Sequence, residues 1–149
     1  MLFTQTAEYA LRAMAHMALL PPGSPVRAKD LSAATGIPSD YVSKVLRRMV
    51  REGLLLSQKG HGGGFKLAKA PAEIRFYDVL AAADAIFDPK RCAFGWGACG
   101  EGEPCPLHDA FSKLKEGILA WARNTTLADV GGGVRLPQLP VDAIARTAG

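Results

Sequence analysis

Apolar residues return at every third or fourth position from residue 3 to residue 20, with Ala7, Ala10, Leu11, Met14, Ala18 and Leu19 on one side of a helix. Glu8, Arg12 and His16 step by four and make a polar stripe on the other side. The run "PPGSP" stops that helix. A short helix follows over about 27–34; Gly36 breaks it, and Pro38 suits the first turn of the next. There Val42, Val45, Leu46, Met49 and Val50 form the apolar face, while Asp40, Ser43, Lys44, Arg47, Arg48 and Arg51 point away. Gly53 stands where a capping glycine ends a helix. In "LLLSQKGHGGGFKLAK" the pattern becomes that of two strands, 54–58 and 64–68, around a tip of Lys59, Gly60, His61, Gly62 and Gly63. Another helix spans 75–86, and a longer one covers about 106–124. In the longer helix and just beyond it Leu107, Phe111, Leu114, Ile118, Trp121 and Thr125 step by 4, 3, 4, 3, 4, the spacing of a coiled-coil seam.

Two short helices around a tight glycine turn, the second with Lys44, Arg47, Arg48 and Arg51 on its outer face, match a helix-turn-helix. A plain helical hairpin has the same turn, and the cations favour DNA. A glycine-rich hairpin with Lys and His at its tip, directly after the second helix, reads as a wing, because bare glycine amides can approach a groove or phosphate closely. These glycines lie within a hairpin and not between a strand and a helix N-terminus, which excludes a nucleotide-binding loop. The expected fold is mainly α with a small β-hairpin wing. It comprises a winged helix-turn-helix domain over 1–86, a cysteine-rich loop over 87–105, a long C-terminal dimerisation helix over 106–130 and a flexible tail over 131–149. Candidate DNA contacts are Arg27, Lys29, Ser39, Tyr41, Ser43, Lys44, Arg47, Arg48, Lys59, His61, Gly62 and Gly63. Of these, Ser39, Tyr41, Ser43 and Lys44 lie toward the helix N-terminus, where base edges are met, and Arg47 and Arg48 are placed for phosphates. The seam residues Leu107 to Thr125 are the candidate dimer interface.

Charge sharpens this division. The net charge is +4, yet residues 1–70 hold ten Lys/Arg against four Asp/Glu, and residues 71–149 hold eight against ten. A basic front half joined to a mildly acidic rear half suits a nucleic-acid-binding module attached to something else. With 48% apolar residues the chain can build one ordinary core. Charges interrupt the N-terminal apolar positions, so no signal peptide is expected there, and no apolar run is long enough to span a membrane. A cytoplasmic location, with reduced thiols, is the expectation.

All three cysteines fall in "CAFGWGACGEGEPCPLH", where Cys92, Cys99 and Cys105 are separated by six and five residues and His108 follows after two. Three cysteines cannot all pair within one chain, which favours metal or redox chemistry over a disulfide framework. Thiolates suit zinc and iron–sulfur clusters. The loop lacks the tight Cys pairs of a structural zinc site, and its glycines let it wrap a bulky group, so a cluster is favoured. Zinc and free thiols remain alternatives. A Cys105–His108 catalytic dyad lacks any evident oxyanion site or third group, so no enzyme and no small-molecule substrate is expected. An iron–sulfur carrier would have no use for a basic recognition helix or a wing.

Taken together, "TAEYALRAMAHMAL", "IPSDYVSKVLRRMVREGLL", "SQKGHGGGFKLAK", "FYDVLAAAD", the three-cysteine loop and "TTLADV" resemble the IscR/NsrR family of bacterial winged-helix regulators, to about residue 130. The resemblance implies a homodimeric transcription factor on a palindromic operator, in many members a repressor. It implies a 2Fe–2S or 4Fe–4S cluster near the dimer interface that modulates DNA affinity, held by Cys92, Cys99 and Cys105. The fourth ligand is His108, as in IscR-like members, or Glu8 from the partner subunit, as in NsrR-like ones. His108 is preferred on ligand type, and an i,i+4 ion pair with Arg12 is a plain reason for Glu8. Phe94 and Trp96 either screen the cluster or pack on the long helix.

Overall fold

The structure, a computed structural model, describes residues 3–86, 91, 92, 94, 98 and 105–131. Helix α1 (Gln5–Ala18) begins at Thr4, whose hydroxyl accepts the Ala7 amide at 3.3 Å. It runs through the centre of the fold and is buried at Ala7, Tyr9, Ala10, Ala13, Met14, Ala15 and Met17. Helices α2 (Ala28–Thr35) and α3 (Ser39–Arg51) form the helix-turn-helix. Gly36 closes α2 with φ +69°, a left-handed conformation that glycine adopts without penalty. Ser32 Oγ donates to the Ile37 carbonyl at 2.6 Å, and Ile37 is itself buried, so the turn is bonded as well as bent. Pro38 is the cap before α3 and not a residue of its first turn. At the other end the Leu54 amide bonds to the Met49 carbonyl at 2.9 Å and the Gly53 amide to Val50 at 3.0 Å. This paired closure is the one a glycine-capped helix makes, and Met49 and Leu54 are both buried beside it.

The wing consists of antiparallel strands β1 (Leu55–Gln58) and β2 (Gly64–Leu67), with Leu55 opposite Leu67 and Gln58 opposite Gly64. Val26 bridges to Phe65 through two 2.8 Å backbone bonds, tying the wing's return strand to the segment that leads into α2. A 3-10 turn (Pro71–Glu73) leads to α4 (Phe76–Ala82), which is shorter than the expected 75–86. The Arg75 amide donates to the Asp78 carboxylate at 2.8 Å at its start. Helix α5 (His108–Asn124) is followed by α6 (Leu127–Val130), a turn the periodicity does not predict. Among the described residues no helix is long and apolar enough to cross a membrane.

One core serves all these elements. Met14, Leu31, Ile37, Val42, Leu46, Met49, Ile74, Val79, Leu80 and Leu127 are essentially inaccessible. Leu127 lies far along the chain from the winged domain, yet it is 0% exposed. It is brought there by backbone bonds from its amide to the Ile74 carbonyl and from the Phe76 amide to the Thr125 carbonyl, both 2.9 Å. The end of the expected dimerisation segment is therefore built into the head. For the same reason Thr125 leaves the helix in an extended conformation and is not a further step of its seam. The tail beyond residue 131 lies outside the described residues.

Candidate DNA-binding face and cysteine loop

The outer face of α3 is available to a ligand. Ser39, Tyr41, Lys44, Arg47 and Arg51 are exposed and Ser43 is half-buried. Tyr41, 44% exposed, packs edge-on against the buried Tyr9 of α1, with ring centroids 5.6 Å apart at 69°. The Lys44 ammonium lies 5.6 Å from the Tyr41 ring centroid. Tyr9 is fixed in turn by Gln5, whose amide nitrogen donates to its hydroxyl at 3.1 Å. An aromatic pair thus supports the lysine nearest the helix N-terminus, an arrangement that Tyr41 and Lys44 at i,i+3 spacing half-announce and that the contribution of Tyr9 does not.

At the wing Lys59, Gly60, His61 and Gly62 are exposed, while Gly63 is half-buried. A side chain at Gly63 would lie 2.3 Å from the Gln58 carbonyl oxygen, so this tip requires glycine for space. Arg27 and Lys29 are exposed at the start of α2. Arg27 Nε meets Asp30 at 3.2 Å in an open ion pair that DNA phosphate could displace at little cost.

Arg48 is placed differently from its neighbours. Its Nε donates to the Ala82 carbonyl, and its terminal nitrogen pairs with the Asp84 carboxylate at the end of α4. The sequence pattern puts Arg48 on the outward face with a phosphate for a partner; the structure gives it a partner within the chain.

In the cysteine loop Cys92 is half-buried and Cys105 exposed, both as free thiols. Cys99 and Trp96 lie outside the described residues. The Phe94 amide donates to the Cys92 sulfur at 3.4 Å, and Phe94 is exposed. Arg91 and Ala98 form an antiparallel bridge across the loop. The Lys115 ammonium, on a residue only 5% exposed, donates to the Arg91 carbonyl at 3.1 Å and lies 4.9 Å from the Phe111 ring centroid. A buried cation bonded to the residue before Cys92 is not foreseen by the seam spacing, which counts Lys115 among the polar positions. His108 opens α5, half-buried, and its amide bonds to the Cys105 carbonyl at 3.0 Å. Among the described residues no three potential ligands gather around one point.

The stripe Glu8, Arg12 and His16 is half-buried, because helices pack around most of α1. Among the described residues no ion pair joins Glu8 to Arg12. Arg12 lies 5.6 Å from the Tyr9 ring centroid, and one of its terminal nitrogens is buried without a hydrogen-bond partner. Burial also holds the His16 imidazole below its usual pKa.

On α5 the residues turned into the chain are Lys115, Leu119 and Ala122. Leu107, Leu114 and Trp121 are exposed, with Leu114 at 56%, and Phe111 and Ile118 are half-buried. Trp121 also stacks on Phe3 at 6.1 Å and meets Phe76 edge-on at 5.4 Å, so part of this row already serves its own chain.

The fold resembles that of the global cysteine regulator CymR of B. subtilis, with a TM-score of 0.75 at 17% identity over 89% of this chain and 97% of that one. It also resembles IscR of T. potens, with a TM-score of 0.70 at 19% identity over 90% and 92%. In sequence the chain is 32% identical to the HTH-type transcriptional regulator IscR of Cronobacter sakazakii over 87% of its own length and 80% of that protein's. It is 33% identical to the protein of that name in Klebsiella pneumoniae, over 87% and 79%. These relatives are named for regulating transcription, not for catalysis. Residues 3–133 match the Rrf2 family, described as iron-dependent transcriptional regulators, and the chain belongs to that family.

Proposed function

We propose that this chain is a homodimeric repressor whose affinity for a palindromic operator is set by an iron–sulfur cluster in the Cys92–Cys105 loop. The observation that carries the DNA-binding part is the exposed face of α3, where Tyr41, Lys44 and Arg47 stand in a winged-helix frame beside a glycine-rich tip. Dimerisation through α5 would set two such faces in successive major grooves, about 34–36 Å apart.

The chemistry of the loop fits a cluster. Cys92 and Cys105 are free thiols, and the Phe94 amide N–H is directed at the Cys92 sulfur, the kind of hydrogen bond that tunes a cluster's sulfur ligands. The Lys115 ammonium donates to the carbonyl of Arg91, the residue before Cys92, and would add positive charge toward a negative thiolate-bound group. Cys99 is the third sulfur ligand and His108 the fourth ligand, with Glu8 of a partner subunit as the alternative. A bound cluster would supply a centre that oxidants or nitric oxide alter, and the loop residues would then change how the two heads are spaced.

Anaerobic purification tests this reading directly. Brown protein with iron and acid-labile sulfide is expected, and Cys92→Ala, Cys99→Ala or Cys105→Ala should each abolish the colour. Between His108→Ala and Glu8→Ala, only the variant that removes a ligand should change the spectrum. Colourless protein with stoichiometric zinc on the same cysteines would defeat the cluster and leave the DNA-binding regulator standing.

A further inference from the structure

We propose that Arg48 and Asp84 form a latch that positions the recognition helix α3 against the end of α4, and that DNA binding depends on this latch and not on a phosphate contact by Arg48. The inference rests on the DNA-binding reading above and adds a positioning pair to it.

Three observations meet at the latch. Arg48 is half-buried and uses both edges of its guanidinium, Nε toward the Ala82 carbonyl and a terminal nitrogen toward the Asp84 carboxylate. Ala82 is the last residue of α4, so its carbonyl has no partner within the helix, and a cation at this end also suits the helix dipole. Asp84 has φ +52°, the only positive value at a residue other than glycine among the described residues.

The backbone around Asp84 explains what is unusual about it. Its amide bonds to the Ala81 carbonyl at 3.0 Å, and the Ala85 amide bonds to Leu80 at 2.9 Å. These are the same two bonds that close α3 at Gly53 and Leu54, where the left-handed position is held by glycine. At Asp84 the same position carries a side chain that glycine would avoid, and that side chain holds Arg48. A conformational cost at one helix end is thus joined to an ion pair that reaches the recognition helix across 36 positions of sequence. Asp84 also precedes the cysteine loop closely in sequence.

The two roles for Arg48 predict opposite signs when Asp84 loses its charge. If Arg48 were a phosphate ligand, Asp84 would compete with DNA for it and repel the backbone, so removing the carboxylate would strengthen binding. If Arg48 positions α3, removing the carboxylate loosens the helix and weakens binding.

The full-length wild-type chain first selects its own duplex from a random-sequence pool; Asp84→Asn, Asp84→Gly and Arg48→Lys are then compared on that duplex over a salt series. Both Asp84 variants should bind about tenfold more weakly, with an unchanged slope of log affinity against log salt. Arg48→Lys should show the same loss, because an ammonium cannot span both acceptors as the guanidinium fork does. Asp84→Gly removes the side chain from a left-handed position, so its thermal midpoint should not fall, which separates positioning from loss of fold. Binding that strengthens with a slope steeper by about one, or that is unchanged in both Asp84 variants, would overturn the latch. So would full retention of affinity in Arg48→Lys. A wild-type chain that enriches no duplex would instead overturn the DNA-binding reading, and the latch with it.

Discussion

Helices α3 and α5 each show a row of exposed side chains, and the two rows are made of opposite materials. On α3 the row is Ser39, Tyr41, Lys44, Arg47 and Arg51, groups that water solvates well and that give up little until a phosphate or base edge replaces the water. On α5 and its cap it is Leu107, Leu114 and Trp121, whose contact with water is unfavourable by roughly 25 cal/mol for every Å² of apolar surface. A polar row can wait for a transient ligand; an apolar row at seam spacing suits a lasting cover, which under the proposed function a second copy of the same helix would provide. Under the proposed function the first row would serve reversible binding and the second assembly.

The largest effect should come from breaking the apolar row. Ile118→Asp places a charge mid-seam, and sedimentation should show monomers in place of dimers. Operator affinity should fall by about 10²–10⁴-fold, because two linked heads gain that much from avidity. An intact dimer in this variant would remove the contrast between the rows.

A smaller and more selective effect is expected on the polar row. Lys44→Ala should weaken binding to the selected duplex by about 1–3 kcal/mol and non-specific binding by less, if Lys44 reads a base edge. Gel-shift titrations on both duplexes check this. Equal losses on both would reduce Lys44 to a phosphate contact.

The smallest effect concerns α1, which packs beneath α3. Burial lowers the folded-state pKa of His16 from its ordinary 6.5, so on acidification the unfolded chain takes up this proton first. The contribution of His16 is complete above about 6.5 and is lost as the pH falls through the folded-state value. Thermal midpoints measured from pH 7.5 down to pH 5 should decline less steeply in His16→Gln than in wild type.

What could be read from the sequence follows the range of the interactions. The helix-turn-helix, its Gly36 turn, the Gly53 closure and the wing hairpin all arise from residues a few positions apart, and the structure has each of them. Pairings over long distances left no such trace. Nothing near Arg48 announces Asp84, nothing near Ile74 announces Leu127, and Lys115 has the spacing of a solvated lysine while lying 5% exposed against Phe111. The polar stripe of α1 misled for a related reason. Its periodicity is real, but a central helix has no solvent side, so Glu8, Arg12 and His16 are half-buried. The gathering of Cys99 with the other ligands rests on spacing and resemblance, since that residue lies outside the described set.

The position of Leu127 has a consequence for how the protein is made. Its side chain fills the head's core, and backbone bonds to Ile74 and Phe76 hold the segment that carries it. A ribosome releasing the chain from its N-terminus delivers the helix-turn-helix and wing first, but their core stays open until the loop and the whole of α5 have emerged. At about 5–20 residues per second that delay lasts several seconds. During it, the nascent head lacks a leucine whose removal from a finished core typically costs about 2–5 kcal/mol. The DNA-binding half therefore completes its fold only when the cysteine loop and α5 already exist, and a chain cut short within that loop would not leave behind a fully stable head.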